Sequence, residues 1–455
     1  MSNKKSLRFA GCRLQVKEFT IARLLFVVFL FSYCLLSTAY CFSQSTSNSP
    51  YSRYGLGDLH SGNYANNVAM GGISNALQND TTAPFNINSA NPASYASSRL
   101  TIFDFGLMSN MTQLETDSKK YLNNRTGLSY MGFVFPVAKW WGTSIGLRPY
   151  SSVGYKIYDQ ATLDSIGTVN YSYEGHGGIN QIFWGNGFKI KKLYFGVNVS
   201  YLFGDLVYSG RDSFPVSSNH MNTKVIQTSK VNDLYYTFGM QYRQPLQKGW
   251  SVTLGATGSM KTNVNAEETI FAANYKNQNG IEVDRDTILY EQGKAEIISI
   301  PMTIGGGIVL KKSEKLLLGF DYSRQNWSTF TSLDGSSLLK NSQKIAVGIQ
   351  FVPNKNAGKG ESYLKKIFYR AGFRYTDTYL NLRNTAIKDY TITFGAGFPL
   401  RKIKAGETYS QSIINIGVEL GQLGTTDNQL LKERYMKVVL GFTLNDRWFI
   451  KRKYD

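Results

Sequence analysis

Few side chains in this 455-residue chain have the types and spacing that enzyme chemistry needs. The chain has three histidines, His60, His176 and His220, and none has a neighbour at the spacing of a metal site. One G-x-S-x-G match, GTSIG at 142–146, is the pattern of an esterase nucleophile. An esterase needs that serine on a tight turn between a strand and a helix, whereas Ser144 lies inside an alternating strand pattern. We therefore expect no enzyme activity, no metal site and no cofactor.

Three arginines have the chemistry to bind an anionic group. Arg148, Arg370 and Arg374 fall on the polar faces of two predicted strands. A guanidinium group matches a carboxylate with two parallel hydrogen bonds, so these residues are candidates to hold the head group of an amphipathic ligand. Ion pairs that fix another segment of the chain would leave the same pattern. Both interpretations stay open from the sequence.

The segments that carry these arginines alternate between apolar and polar residues with a period of two. In SIINIGVELG, residues 412–421, the isoleucine, valine and leucine side chains share one face, and Asn, Gly and Glu share the other. In a soluble β-sandwich the apolar face would form the core. In an outer-membrane barrel it would meet lipid, and the polar face would line the lumen. Periodicity does not separate the two architectures.

The lengths of the connections favour the membrane barrel. The predicted strands begin near residues 99, 125, 140, 177, 192, 229, 249, 293, 314, 338, 364, 388, 409 and 432. Long connections at 111–124, 158–176, 210–228 and 264–292 alternate with shorter ones. An even strand number with short turns on one side is typical of outer-membrane barrels. We predict an all-β fold, a 14-stranded antiparallel transmembrane β-barrel over residues 99–455.

Residues 1–43 have the layout of a secretory signal peptide. A basic stretch precedes the apolar run LLFVVFLFSYCLL, and small residues follow it. A retained anchor helix is the weaker alternative, because the run is shorter than the roughly 20 residues that span a bilayer. All three cysteines, Cys12, Cys34 and Cys41, lie in this segment. The mature chain would therefore contain no disulfide.

The charge balance of the chain is strongly basic. It contains 50 Lys and Arg against 31 Asp and Glu, a formal charge of +19. Such a balance can indicate nucleic-acid binding, but a secreted destination argues against that partner. We expect contact with outer-membrane lipid and lipopolysaccharide instead, and a location in the outer membrane of a Gram-negative cell.

Residues 44–98 precede the first predicted strand and show no sustained alternation. A barrel of fourteen strands encloses a lumen that must be filled with water or plugged. This segment is rich in Gly and Asn, which allow unusual backbone angles and hydrogen bonds to a polar lumen. We predict that residues 44–98 form an N-terminal hatch inside the barrel.

The junction between hatch and barrel resembles that of the FadL-type outer-membrane transporter family. NVAMGGISNAL is followed by NINSANPASYAS and then by the first strand, RLTIFDFG. Asn91, Pro92 and Ala93 match the Asn-Pro-Ala motif of that family. The start SPYSRYGLGDL and the end WFIKRKY resemble its Bacteroidota branch, which is related to the PorV-like component of type IX secretion. The resemblance implies a fourteen-stranded barrel with a hatch.

The resemblance also implies a function. Classical members carry hydrophobic molecules such as fatty acids and release them sideways at a kinked third strand. The third predicted strand, TSIGLRPYSSVGY, contains Pro149, which cannot donate to a β-ladder and marks either this opening or a position beyond the membrane band. We expect passive uptake of a hydrophobic or amphipathic small molecule. The alternative is a structural or adaptor subunit of a larger outer-membrane secretion or assembly complex.

Overall fold

The computed structural model describes residues 49–79, 84–164, 166–215, 220–278, 281–330, 339–358, 360–400, 403–405 and 408–447. The predicted signal peptide, residues 1–43, and the WFIKRKY end lie outside the described residues. Within the described part, fourteen antiparallel strands close into a barrel, because the last strand pairs with the first. No helix in these ranges is long and apolar enough to cross a membrane.

We number the barrel strands β1 to β14 in chain order. They are Thr101–Glu115 (β1), Lys120–Ala138 (β2), Trp141–Leu163 (β3), Gly167–Ile190 (β4), Leu193–Ser213 (β5), Asn222–Pro245 (β6), Trp250–Ser259 (β7), Thr303–Lys312 (β8), Leu316–Gln325 (β9), Ser342–Phe351 (β10), Phe368–Leu382 (β11), Thr385–Pro399 (β12), Ile413–Gly424 (β13) and Lys432–Asp446 (β14). Each strand pairs with its neighbours in sequence, and β8 pairs with β7. The predicted strand number is confirmed.

The predicted long loops are mostly strand, so that part of the prediction is wrong. At 111–124 and 158–176 the barrel strands simply continue outward and meet at tight turns. The apolar alternation fades in these parts because neither face of the strand meets lipid. The strands still pair there, because backbone hydrogen bonds do not depend on an apolar face.

The connection predicted at 264–292 is a hairpin of two long strands, Thr262–Gln278 and Ile281–Ile300. Its first strand also pairs with the start of β6. The barrel strand expected near residue 293 therefore begins only at Thr303.

The two faces of the wall differ as the alternation predicts. On the outer face, Ile145, Trp184 and Phe394 are at least half exposed. On the inner face, Asn415 and Glu419 are 1% exposed. An apolar outer band with polar residues inside is the arrangement of a transmembrane barrel.

Residues 49–79 and 84–98 lie inside the ring, and we refer to them as the N-terminal segment. It contains the short elements Pro50–Arg53, Asp58–Leu59, Ala65–Val68 and Pro92–Ser97. Its aromatic side chains Tyr64, Phe85 and Tyr95 are 1% exposed or less. They pack against wall residues such as Tyr130 and Phe183 in one apolar cluster. The core of this protein is therefore built between the segment and the wall.

The remaining short elements connect the strands. They are the 3-10 turns Gln247–Gly249, Trp327–Thr329, Tyr363–Lys366 and Asp427–Gln429, and the small hairpin Ile403–Ala405 with Thr408–Ser410.

Candidate functional site in the barrel interior

The Asn-Pro-Ala motif forms a capped turn that is fixed to the wall. The Asn91 side chain accepts a hydrogen bond from the Ala93 N–H at 3.1 Å, and Pro92 occupies the first position of the 3-10 turn. Asparagine caps and proline at the first position both favour a helical start. The Asn91 amide also donates to the Asn75 carbonyl at 2.6 Å and to two wall carbonyls at 3.3–3.4 Å. The motif thus joins two parts of the N-terminal segment to β6 and β7.

Glycines in the wall allow this close approach. A side chain at Gly196 on β5 would lie 2.4 Å from Pro92, and one at Gly239 on β6 would lie 2.1 Å from the Asn91 oxygen. Neither distance is compatible with a Cβ atom, so only glycine fits where the motif meets the wall.

Arg148, on β3, is bonded to the N-terminal segment. Its guanidinium donates to the Gly62 carbonyl at 3.1 Å and to the Ser89 hydroxyl at 3.0 Å. A third bond, at 3.0 Å, goes to Gln181 on β4. Arg148 therefore serves as a bridge between wall and segment.

Arg374, on β11, belongs to an ionic network within the wall. It donates to Glu419 at 2.7 Å, and Lys437 lies 3.2 Å from the second oxygen of the same carboxylate. Asp389 lies 3.8 Å from the Arg374 guanidinium. These pairs connect strands β11 to β14 across the inner face of the wall.

Arg370 lies apart from the other two arginines. It is 5% exposed and donates to Gln350 at 2.8 Å and to Asn415 at 2.7 Å. Among the described residues no carboxylate pairs with it. Arg148 and Arg374 both line one cavity of the barrel interior, and Arg370 does not line that cavity. The three arginines predicted as a ligand-binding group thus do not converge on one site.

A cavity of about 480 Å³ lies between the N-terminal segment and the wall. Its cationic side chains are Arg125, Arg148, Arg324, Lys344, Arg374 and Lys437. Its carboxylates are Asp58, Asp389, Glu419 and Glu433. Most other lining residues carry hydroxyl or amide groups, and the aliphatic ones are Leu59, Ala90, Met108, Leu380 and Leu423. Five tyrosine rings also line the cavity, which therefore presents charged, hydroxyl and apolar surface together.

The pairing of β3 with β2 stops part-way along the wall. The two strands pair only from Ala138 with Trp141 to Met131 with Leu147. Beyond that point β2 pairs with β1 alone, while β3 continues along β4 past a register shift after Pro149. Pro149 therefore lies where the wall loses one set of strand pairs.

The N-terminal segment occupies the edge that β2 leaves. Asp58 and Leu59 pair with Ser152 and Ser151 of β3. Further along the same edge, the Ser49 N–H donates to the Gly154 carbonyl at 2.9 Å. The sequence does not predict this two-residue strand, which is too short for any alternation to show.

Wall residues on distant strands also hold the N-terminal segment, and the sequence does not predict these contacts either. Asp321 on β9 accepts hydrogen bonds from the Ser74 and Asn75 N–H groups at 2.7 and 2.9 Å. Asn198 on β5 donates to the Ser89 carbonyl at 3.0 Å. A polar residue on the inner face of a strand was the available signal, but nothing in the sequence pairs it with its partner.

The sequence model of the BamG family matches residues 25–455. The chain belongs to the BamG family. No curated protein matches this BamG-family chain.

Solved structures show the same fold. The Pseudomonas putida toluene transporter TodX is 16% identical with a TM-score of 0.54, and the match covers 87% of this chain and 100% of that one. The Ralstonia pickettii toluene transporter TbuX is 14% identical with a TM-score of 0.51, covering 89% and 99%. A Pseudomonas aeruginosa FadL homologue is 12% identical with a TM-score of 0.51, covering 85% and 98%. The predicted FadL-like barrel is confirmed, while the Bacteroidota, PorV-related branch stays a prediction.

Proposed function

We propose that this BamG-family chain is a plugged outer-membrane barrel that acts as a structural or adaptor subunit of an assembly or secretion complex. The observation that carries the proposal is the cavity of the barrel interior, whose lining includes ten charged side chains. Hydroxyl and amide groups lie beside them, and a hydrocarbon there would desolvate these groups without replacing their hydrogen bonds.

The attachment of the N-terminal segment supports the same proposal. The segment is bonded to β5, β6 and β9 through buried side chains and to β3 through the partly buried Arg148. A hatch that must clear the lumen in each transport event would have to break these bonds, and each buried polar group left unpaired costs about 1–3 kcal/mol. The family name BamG also points toward an assembly role.

Passive uptake of a hydrophobic molecule is the second candidate, and the wall at β3 favours it. The edge beside Pro149 is completed only by the N-terminal segment, so movement of that segment would open a lateral path out of the lumen. In this mechanism the hatch gates the lumen and the ligand leaves near β3. The fold likeness to toluene transporters supports this candidate.

A disulfide between the segment and β3 separates the two functions. Leu59 and Ser151 are paired positions of an antiparallel ladder, whose Cα atoms lie roughly 4.5–5.5 Å apart, a span that a disulfide bridges. The Leu59→Cys/Ser151→Cys variant would lock the segment when oxidised and release it when reduced. If the chain is an adaptor, both forms should keep outer-membrane levels of other barrels at the wild-type value.

Two controls complete the experiment. Cells that lack the protein should lose other barrels from the outer membrane, and uptake of radiolabelled toluene or oleate should be the same with both redox forms. Loss of uptake on oxidation alone, with barrel levels unaffected even in the deletion strain, would refute the adaptor role and establish gated transport.

A further inference from the structure

The short turns of the barrel carry exposed lysines. In outer-membrane barrels the short turns face the periplasm, and here they connect β2 to β3, β4 to β5, β6 to β7 and β8 to β9. The exposed lysines on these four turns are Lys139, Lys191, Lys192, Lys248, Lys312 and Lys315. Because every one of these turns contributes, the lysines follow the rim of the barrel over successive hairpins instead of clustering at one point.

None of these six lysines pairs with a carboxylate of the described residues. At the opposite end of the barrel only some of the cations are paired, since the exposed Lys119, Lys261, Lys276 and Lys388 also have no ion-pair partner among the described residues. Lys156 lies 2.6 Å from Glu174, and Lys340 lies 2.6 Å from Asp377. Unpaired exposed lysines are therefore present at both ends of the described wall, and the short turns differ in having tryptophan side chains next to Lys139 and Lys312.

Aromatic rings lie next to the lysines. Trp140, Trp141 and Phe188 stack with centroids 6.0–6.1 Å apart, and Trp140 is 54% exposed. On another turn, the Lys312 ammonium lies 5.4 Å from the Trp250 ring. Tryptophan rings in membrane proteins lie at the level of the lipid head groups. Lysine side chains beside them reach the phosphate layer of the same leaflet.

We propose that the short turns between β2 and β9 bind anionic phospholipid head groups in the periplasmic leaflet. The lysines form an arc along this part of the rim, and the tryptophan rings beside them place the arc at the level of the head groups. The location at the short turns excludes lipopolysaccharide as this ligand, since it occupies the opposite leaflet. Lysine suits the role because a mobile point charge can follow phosphates that hold no fixed position. The proposal requires outer-membrane placement and is independent of the adaptor role.

The test compares lipids around the purified full-length mature protein in detergent–lipid bilayers. Brominated phosphatidylglycerol and brominated phosphatidylcholine quench tryptophan on contact, so their relative quenching reports the preference of the annulus. We expect wild type to prefer phosphatidylglycerol about five-fold at low salt, since each nearby lysine favours an anionic surface. High salt should reduce this preference because salt screens exposed charges.

Charge-neutral and charge-conserving variants make the test specific. Lys139, Lys191, Lys248 and Lys315 lie on four different turns, and changing all four to Gln should reduce the preference to less than about two-fold. The same four positions changed to Arg should retain it. A control removes four exposed lysines at the opposite end: Lys119→Gln, Lys261→Gln, Lys276→Gln and Lys388→Gln. This control should keep the wild-type preference.

Two outcomes would overturn the proposal. One is equal quenching by both lipids in correctly folded wild type, with folding checked by heat-modifiable migration on gels. The other is an unchanged lipid preference in the four-Gln variant together with loss of a periplasmic partner on co-purification, which would assign the lysines to an acidic protein.

Discussion

Removing the Asn91 side chain should loosen the N-terminal segment and leave the wall intact. Asn91→Ala removes the cap on the Ala93 N–H, worth about 1 kcal/mol. It also removes the bond to the Asn75 carbonyl at 2.6 Å and weaker bonds to β6 and β7, which together contribute about 1–3 kcal/mol. The Asn75 carbonyl keeps a second donor, Gln241, at 2.9 Å. The free energy of local opening should therefore fall by about 2–4 kcal/mol.

Hydrogen exchange followed by mass spectrometry measures this change directly. Since 1.4 kcal/mol is a factor of ten in an equilibrium constant, amides in residues 84–98 should exchange roughly 30- to 700-fold faster. Peptides from the barrel strands should exchange at the wild-type rate, because the β-ladders do not use this side chain. Asn66→Ala is the matched control, since Asn66 is a buried asparagine of the same segment whose side-chain oxygen has no hydrogen-bond partner among the described residues. Unchanged exchange in residues 84–98, or equal acceleration in segment and wall, would refute the reasoning.

Three further predictions test the plug, the facing of the wall and the ionic network. Deleting residues 49–90 should leave an assembled barrel of lower stability, because the wall strands pair with one another except along the edge of β3 that the segment completes. The deletion should convert negligible conductance in planar bilayers into persistent channels, and an assembled deletion variant that stays silent would contradict the plug. On β6, Phe238→Arg places a cation on the exposed outer face and should lower stability by up to about 2–4 kcal/mol. Thr237→Arg points into the cavity and should lower stability less. Equal yields of heat-modifiable protein from the two variants would show that the assignment of inner and outer faces is wrong. Glu419→Gln leaves Arg374 and Lys437 without their shared carboxylate and should lower the free energy of unfolding by about 3–5 kcal/mol. The measurement is the temperature at which the gel shift is lost. Glu361→Gln removes a carboxylate from an exposed ion pair and should change this temperature little.

The wall could be predicted from the sequence because its signal is local. A strand that faces lipid on one side repeats every two residues, and each repeat is visible without knowing its partner. The strand number followed from this pattern. The outer hairpins did not, since beyond the membrane both faces meet water and the alternation disappears, although the backbone pairing continues.

The interior could be predicted only in outline. Its location followed from the lack of alternation in residues 44–98, and the Asn91 motif was visible as a motif. The wall residues that bind the segment could not be predicted, because Asp321 and the Ser74 N–H that it binds are 247 positions apart in the chain. The alternation places Gly417 in the lumen and so predicts that Gly417→Arg is mild. The comparison is with lipid-facing changes such as Ile416→Arg, and it stays a prediction. In the structure a Cβ at Gly417 would lie 2.9 Å from the Ala65 carbonyl, so the larger side chain would also displace the segment, a cost that the alternation does not reveal.

The edge of β3 connects the plug with the closure of the wall. Within a bilayer every backbone polar group needs an internal partner, and the upper part of β3 has lost β2 as a neighbour. The pairs of Asp58 with Ser152 and Leu59 with Ser151 supply part of that missing ladder. The Arg125 guanidinium of β2 adds a bond to the Ser152 hydroxyl at 2.9 Å across the same gap. The N-terminal segment is therefore a structural part of the wall as well as the filling of the lumen. Any mechanism that moves the segment must supply other hydrogen-bond partners for the backbone at the edge of β3. A partner protein that added a strand at this edge would both open the barrel and bind to it.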